Sequence, residues 1–255
     1  MSLTHALNEA KDSSRFLTKL GKAMKPCYES DLVNIKELLP VIMSNMKMIY
    51  ILSRHYGKTI RMTNLFARIT NQLVTRCKQV VYGGNRVSLI WDRKSSDVVK
   101  NLEESIQLRD AYVKQFHMAA EEVSKEKKSG EKKIAAPSYK KSFASFNLKR
   151  IFNHFHDFIQ RAEKLHDMFS AMEQYKLFKD HHIDGIDTIL TEFNQVVRDF
   201  SLREHDLLDY NNSAFERDFV EFNMMNSRVE TAVEELISTA INSRAPIMKK
   251  INIMA

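Results

Sequence analysis

LKRIFNHFHDFIQRAEKLHDMFSAM, residues 148–172, decides how this chain is read. Leu148, Phe152, Phe155, Ile159, Ala162, Phe169 and Met172 recur at spacings of three, four or seven, which places them on one side of a helix. A second stripe follows at Phe215, Phe219, Phe222, Val229, Val233, Leu236 and Ala240. Each segment therefore has one face that must be buried against another helix, and burial of Phe152, Phe155, Phe219 and Phe222 is the most direct structural expectation. The pattern packs helices; it does not position a reactive group.

The rest of the chain agrees. Its 255 residues, 44% of them hydrophobic, can supply a core, and six Gly and four Pro are few for a sheet protein that needs frequent turns. The expected fold is all-α, an elongated bundle of long amphipathic helices. Before the first stripe the spacing predicts four helical segments. The first is Thr4 to Met24, stopped by Pro26, and the second is capped by Asp31 and kinked or restarted at Pro40. The third runs from Thr59 to Val81 and ends at Gly83-Gly84; the fourth begins at Ser95 or Ser96 after Trp91, the only tryptophan. Ile183 to about Leu202 and a helix opened by Asn212 or Ser213 complete the set, with the Leu148 helix ending near Tyr175. These helices are roughly 30 to 45 Å long at ~1.5 Å per residue.

Lys and Arg outnumber Asp and Glu by 39 to 32, a formal charge of +7. Part of the excess lies in SKEKKSGEKKIAAPSYKK, residues 124–141, which holds Lys127, Lys128, Lys132 and Lys133 with Gly130 and Pro137 as breakers. Such a run reads as a solvated linker. With Tyr139 its only aromatic, it lacks the interleaved aromatics of a nucleic-acid site, so no nucleic-acid partner is expected. It divides the chain into an N-terminal bundle at 1–123, a lysine-rich linker at 124–142 and a C-terminal bundle at 143–255.

Signals for chemistry are weak. Gly57-Lys58-Thr59 imitates the end of a phosphate-binding loop, but position 52 is Leu52 where that motif needs glycine. His154 and His156 lie two apart on a helix and diverge, and His181-His182 beside Asp184 have no third ligand at a recognisable spacing. Cys27 and Cys77 form no CxxC pair and read as reduced thiols. The adjacent carboxylates at Glu103-Glu104, Glu121-Glu122 and Glu234-Glu235 sit between apolar positions and read as solvated helix faces. No catalytic residue, cofactor or metal is expected. No run reaches the ~20 apolar residues of a membrane span, and the start lacks a signal pattern, so the chain reads as a soluble intracellular protein.

Four runs occur together: RMTNLFARITNQLVTRCKQ at 61–79, IWDRKSSDVVKNLEESIQLRDAYVKQF at 90–116, FNLKRIFNHFHDFIQRAEKLHDMF at 146–169 and LLDYNNSAFERDFVEFN at 207–223. In this order they resemble the N-terminal tail region of dynein heavy chains, over most of residues 5 to 243, and the residue mix is closer to the axonemal than to the cytoplasmic members. Two features depart from that family. The turn at His182-Ile183-Asp184-Gly185 has a single glycine where the family often has a glycine-rich turn, and the lysine-rich stretch does not look like a family motif.

The resemblance implies a non-catalytic scaffold segment of a motor's stem, since the ATPase ring, Walker motifs and microtubule-binding stalk of the family are absent from this sequence. It implies association with other dynein heavy chains, with intermediate and light chains and with axonemal docking components, microtubules being reached indirectly, in the cytoplasm, cytoskeleton and ciliary axoneme. Trp91, just before a helix, reads first as local packing and second as the candidate exposed anchor for a partner; Lys127, Lys128, Lys132 and Lys133 are the other candidate contacts. The alternative is a free-standing helical adaptor that uses the basic linker to bind microtubules or anionic membrane surfaces.

Overall fold

Glycine, proline and a few polar caps divide the chain into helices. In this computed structural model residues 3–84, 86–125, 143–180, 185–203 and 205–242 are described. They form seven α-helices and no strand: α1 Leu3–Met24, α2 Leu32–Leu52, α3 Thr59–Tyr82, α4 Ser95–Lys125, α5 Leu148–Asp180, α6 Asp187–Ser201 and α7 Ser213–Asn242, with short 3-10 turns at Lys25–Tyr28, Val87–Asp92 and Phe143–Ser145. The all-α expectation holds. Gly83, at φ 72°, takes the left-handed conformation that ends α3 without a Cβ penalty.

Three boundaries differ from those expected. Of the two readings of Pro40, a kink or a restart, the restart is excluded, since α2 continues through it as one helix. Leu39, Ile42, Met43 and Met46 are buried on both sides of the proline, and this packing outweighs the one backbone bond that the imide cannot make. Asp31 stands at the expected N-cap with extended backbone, although its carboxylate makes no capping bond. α5 continues past Tyr175 to Asp180, and α6 begins at Asp187, not at Ile183.

The helices gather into two compact units, Met1–Val80 with Glu103–Gln160, and Val81–Leu102 with Arg161–Ala255. Both draw on chain from each side of the lysine-rich stretch. The reason is the length of the helices: α3, α4 and α5 each supply residues to both units. The lysine-rich stretch from residue 126 on, with Lys127, Lys128, Lys132 and Lys133, and residues 181–184 lie outside the described residues.

In the first unit α1 packs against α2 through Phe16, Leu20 and Met24. Its centre is aromatic. Phe143 and Phe146, on the segment leading into α5, bring their ring centroids within 5.5 and 4.9 Å of Tyr50 on α2, 5.9 and 5.6 Å of Phe66 on α3, and 5.4 and 6.4 Å of Phe116 on α4. Mostly edge-on or tilted rings at these distances add about 0.5–1.5 kcal/mol per pair beyond area burial. The polar members of this core are satisfied: the Thr70 hydroxyl donates to the Phe66 carbonyl at 3.1 Å, and the Tyr112 hydroxyl reaches the same carbonyl at 3.5 Å.

In the second unit α6 packs on α7. Phe193 on α6 joins the three helices, its ring centroid 4.9 Å from that of Tyr175 on α5 and 5.4 Å from that of Phe222 on α7. Gly185 precedes α6 at φ 102°, where an added Cβ would stand 3.2 Å from Leu236 Cδ2. A side chain fails there on both counts.

The stripes themselves need a correction. Phe155 and Phe222 are buried as expected, but Phe152 and Phe219 are only half-buried and Leu148 is exposed. The buried side chains of α5 include Ile151, Phe155, Phe158, Ile159, Arg161, Ala162, Leu165 and Phe169; those of α7 are Phe215, Asp218, Phe222, Met225 and Val229. A spacing of three and four admits neighbouring stripes that share every other residue, and Phe152 and Phe219 belong to the stripe that lies on the flank of each seam.

Candidate functional site

Two places in the described structure have more than packing to offer: a groove in the first unit and a polar hub in the second. The groove lies between α2 and α4. Met43, Met48, Ile51 and Leu52 line it from α2, and Met118 and Ala119 from α4, around an open volume of about 630 Å³. Lys47 Nζ and Glu122 Oε2, 3.0 Å apart, bridge its rim. Leu52 is 63% exposed and Met118 46%, so the groove presents apolar side chains to solvent. Unbranched methionines adapt to a range of partner shapes, so the groove suits the apolar face of a helix. It has no convergent set of acids, bases or nucleophiles.

The hub is built on Arg161, which sits in the apolar line of α5 and is almost fully buried. Its guanidinium donates to the carbonyls of Leu207 at 3.2 Å, Asp209 at 3.0 Å and Asn212 at 3.2 Å, and to Glu216 Oε1 at 3.1 Å. One side chain thereby ties down the connection between α6 and α7, whose backbone has no ladder or helix of its own to satisfy it. Burial lowers the Arg161 pKa, opposed by the carboxylate of Glu216. Lys164, hydrogen-bonded to Glu216, is the main reason that carboxyl lies below its ordinary value.

Tyr82 closes the same connection from α3, donating to Asp206 Oδ1 and accepting from the Leu208 N–H at 2.9 Å. Burial first, and then the bond to Asp206, push its phenol up, so it stays a neutral donor. Asp218, buried on α7, accepts from Arg203 and faces His205 Nε2 at 3.5 Å. Burial, with Arg203 and Arg161 nearby, holds the His205 imidazole below its ordinary value. The hub is thus a structural knot that fixes the α6 to α7 connection.

Trp91 lies in the 3-10 turn before α4, half-buried, its ring 5.4 Å from that of Phe169. His154 is also half-buried, its imidazole lowered by burial and by Lys78. Cys27 and Cys77 are buried free thiols, and burial pushes the Cys77 thiol up to about 12. Gly57 falls in the turn before α3, with Thr59 as the first helical residue. Among the described residues no group of three or more His, Cys, Asp and Glu is placed to hold a metal ion, and no helix is long and apolar enough to cross a membrane. Neither the groove nor Arg161 was singled out from the sequence. A lone arginine within an apolar heptad line was the signal for the second; the groove left none, because it depends on how two distant helices approach.

Comparison with known proteins places this architecture. The sequence matches the family described as Dynein heavy chain, N-terminal region 1, over residues 1–254. It is 34% identical over 241 residues to the dynein gamma chain of the flagellar outer arm from Chlamydomonas reinhardtii, covering 94% of this chain and 5% of that protein. It is 29% identical over 240 residues to human dynein axonemal heavy chain 8, covering 93% and 5%, and 28% identical over 237 residues to dynein axonemal heavy chain 5 of Rattus norvegicus, covering 93% and 6%. The chain thus spans about a twentieth of the length of these relatives, in a region distinct from the ATPase motor. With its helical bundles and a match running along nearly its whole length, the chain belongs to the dynein heavy chain N-terminal region family, among relatives of the axonemal type.

Proposed function

We propose that this chain is a non-catalytic scaffold segment of an axonemal dynein heavy-chain tail, mediating heavy-chain association and the attachment of intermediate and light chains or docking components. The observation that carries this reading is the family match across residues 1–254. Its chemistry is burial. The helix seams hold the bundle, and the groove between α2 and α4 receives the apolar face of a helix from a partner dynein chain, with Lys47 and Glu122 fixing its register. Trp91 and the lysines Lys127, Lys128, Lys132 and Lys133 are secondary contacts in this proposal.

The test is affinity capture from ciliary extract with the full chain as bait, and the same capture with Leu52→Glu and Met118→Glu. Both positions are exposed, so the fold should survive, and far-UV circular dichroism checks this. The expected result is recovery of an identified dynein heavy or intermediate chain by wild type and its loss in both variants. Recovery of no dynein chain, together with microtubule or liposome binding abolished by deleting residues 124–141, would overturn the reading in favour of the adaptor.

A further inference from the structure

Helix α1 changes character along one face. At about 100° per residue His5, Glu9, Asp12, Phe16, Leu20 and Met24 fall within about 120° of arc, on the side that meets the rest of the first unit. From Phe16 onward that side is apolar and buried. Before it the side is polar: none of residues 3–15 is buried, and only Glu9, Asp12 and Ser13 are half-buried. Charge holds these first turns in place. Glu9 accepts from Arg61 in the first turn of α3, and His55 Nδ1 stands 3.9 Å from Glu9 Oε2. Asp12 Oδ2 accepts from the Ser53 hydroxyl at 2.6 Å and from the His55 N–H at 3.2 Å. The His5 and His55 rings meet edge-on, their centroids 5.5 Å apart. Ser53 and His55 belong to the turn that joins α2 to α3.

We propose that the N-terminal half of α1 is a salt-sensitive strap, fastened over the α2 to α3 turn by Glu9 and Asp12, which opens near Phe16 while the rest of the first unit stays folded. A helical segment of about 13 residues has little stability of its own in water, so this half frays once its carboxylates let go. Beyond it Phe16, Leu20 and Met24 stay fixed by apolar burial, which NaCl does not screen. The Glu9 and Arg61 side chains, 23% and 35% exposed, are open to screening. Opening withdraws the one carboxylate oxygen that Ser53 and His55 share, and leaves the turn with the Tyr56 N–H to Ser53 Oγ bond at 2.9 Å and the Gly57 N–H to Ser53 carbonyl bond at 3.1 Å. The strap thus links the order of that turn to the state of two carboxylates on α1.

None of these residues lines the groove, so the test is independent of the proposed function. Amide hydrogen exchange of the full chain is followed by mass spectrometry, with residues 8–15 and 16–24 read separately. In the wild type residues 8–15 should exchange at least about tenfold faster than residues 16–24. Urea from 0 to ~1 M should quicken residues 16–24 and leave 8–15 nearly unchanged, because opening the strap exposes little surface. Raising NaCl from ~50 to ~500 mM should quicken residues 8–15 severalfold. Glu9→Gln with Asp12→Asn should quicken them at least about tenfold at ~50 mM NaCl and remove most of the salt effect. Arg61→Gln, which leaves α1 untouched, should act in the same direction, whereas Lys11→Gln on the exposed face should not. Equal rates and equal urea dependence in the two segments would overturn the proposal by showing a single cooperative unit. Unchanged exchange of residues 8–15 in the Glu9 and Asp12 variant and in Arg61→Gln would overturn it by showing that charge does not fasten the strap.

Discussion

The guanidinium carbon of Arg161 stands 4.0 Å from the centroid of the Phe215 ring, so one buried cation is both stacked on the first turn of α7 and hydrogen-bonded to the connection that precedes it. An apolar residue in its place would leave the carbonyls of Leu207, Asp209 and Asn212 without a donor. Arg161→Met is therefore expected to cost about 3–5 kcal/mol in urea unfolding. Arg161→Lys recovers only part, because an ammonium lacks the planar fork that reaches several carbonyls at once. Equal stability of wild type and Arg161→Met would refute the role given to this side chain.

Phe143 is buried among rings from α2, α3 and α4. Truncation to alanine removes a large buried volume that the surrounding helices cannot readily close, so Phe143→Ala should destabilise by about 3–5 kcal/mol. Phe152→Ala, at a half-buried position, should cost clearly less. Chemical denaturation of both variants measures the difference, and the reverse order would show the seam to be misplaced.

Because each unit draws on chain from both sides of the lysine-rich stretch, a break there should not release two stable pieces. Residues 1–123 alone lack Phe143, Phe146 and Phe155, and the fragment should bind a hydrophobic dye and unfold without a cooperative transition. Mixing it with residues 143–255 should restore cooperativity. Two fragments that each melt sharply on their own would instead support independent N-terminal and C-terminal bundles.

Acid should weaken the fold in two stages. Burial holds His154 and His205 below the ordinary imidazole value of 6.5, so the unfolded chain binds those protons more readily and stability declines as pH falls below about 6.5. Glu9, held low chiefly by its bond to Arg61, and Glu216, held low chiefly by Lys164, contribute stability present above about 4.5 and lost as pH falls through their lower native values. Urea midpoints at pH 7.5, 6.0 and 4.0 should fall stepwise, with the first step smaller in His154→Gln and His205→Gln. A first step of undiminished size in both variants would assign it elsewhere.

Gly185→Ala combines an unfavourable φ of 102° with a Cβ 3.2 Å from Leu236 Cδ2. The expected loss is about 1–3 kcal/mol. In a Leu236→Ala background the contact disappears but the backbone strain stays, so the penalty should shrink without vanishing. Thermal melts of the four proteins in this cycle read both parts.

Much of the architecture was legible in the residues because it depends on local rules. Gly83 and Pro26 mark helix ends for reasons internal to the backbone, and Ser95 and Ser213 open helices where the sequence placed them. The runs that resemble dynein tails, all within the described helices and turns, led to the family that the comparison supports. The failures were of another kind. Phe152 and Phe219 were expected at the centre of their seams and lie on the flanks, while Asp218, a charged residue, is buried in the line beside them.

The sequence by itself determined that this chain is helical, where most helices start and stop, which segments are amphipathic and which family it resembles, since these follow from spacing, caps and breakers along one stretch of chain. Only the tertiary structure decided which of two neighbouring stripes is buried, that α2 continues through Pro40, that Arg161 is the knot of the α6 to α7 connection, and that the α2 and α4 groove remains open. Those outcomes depend on residues tens of positions apart meeting in space. A heptad says that a face must be covered; the helix that covers it, and the angle at which it arrives, set which side chains end inside.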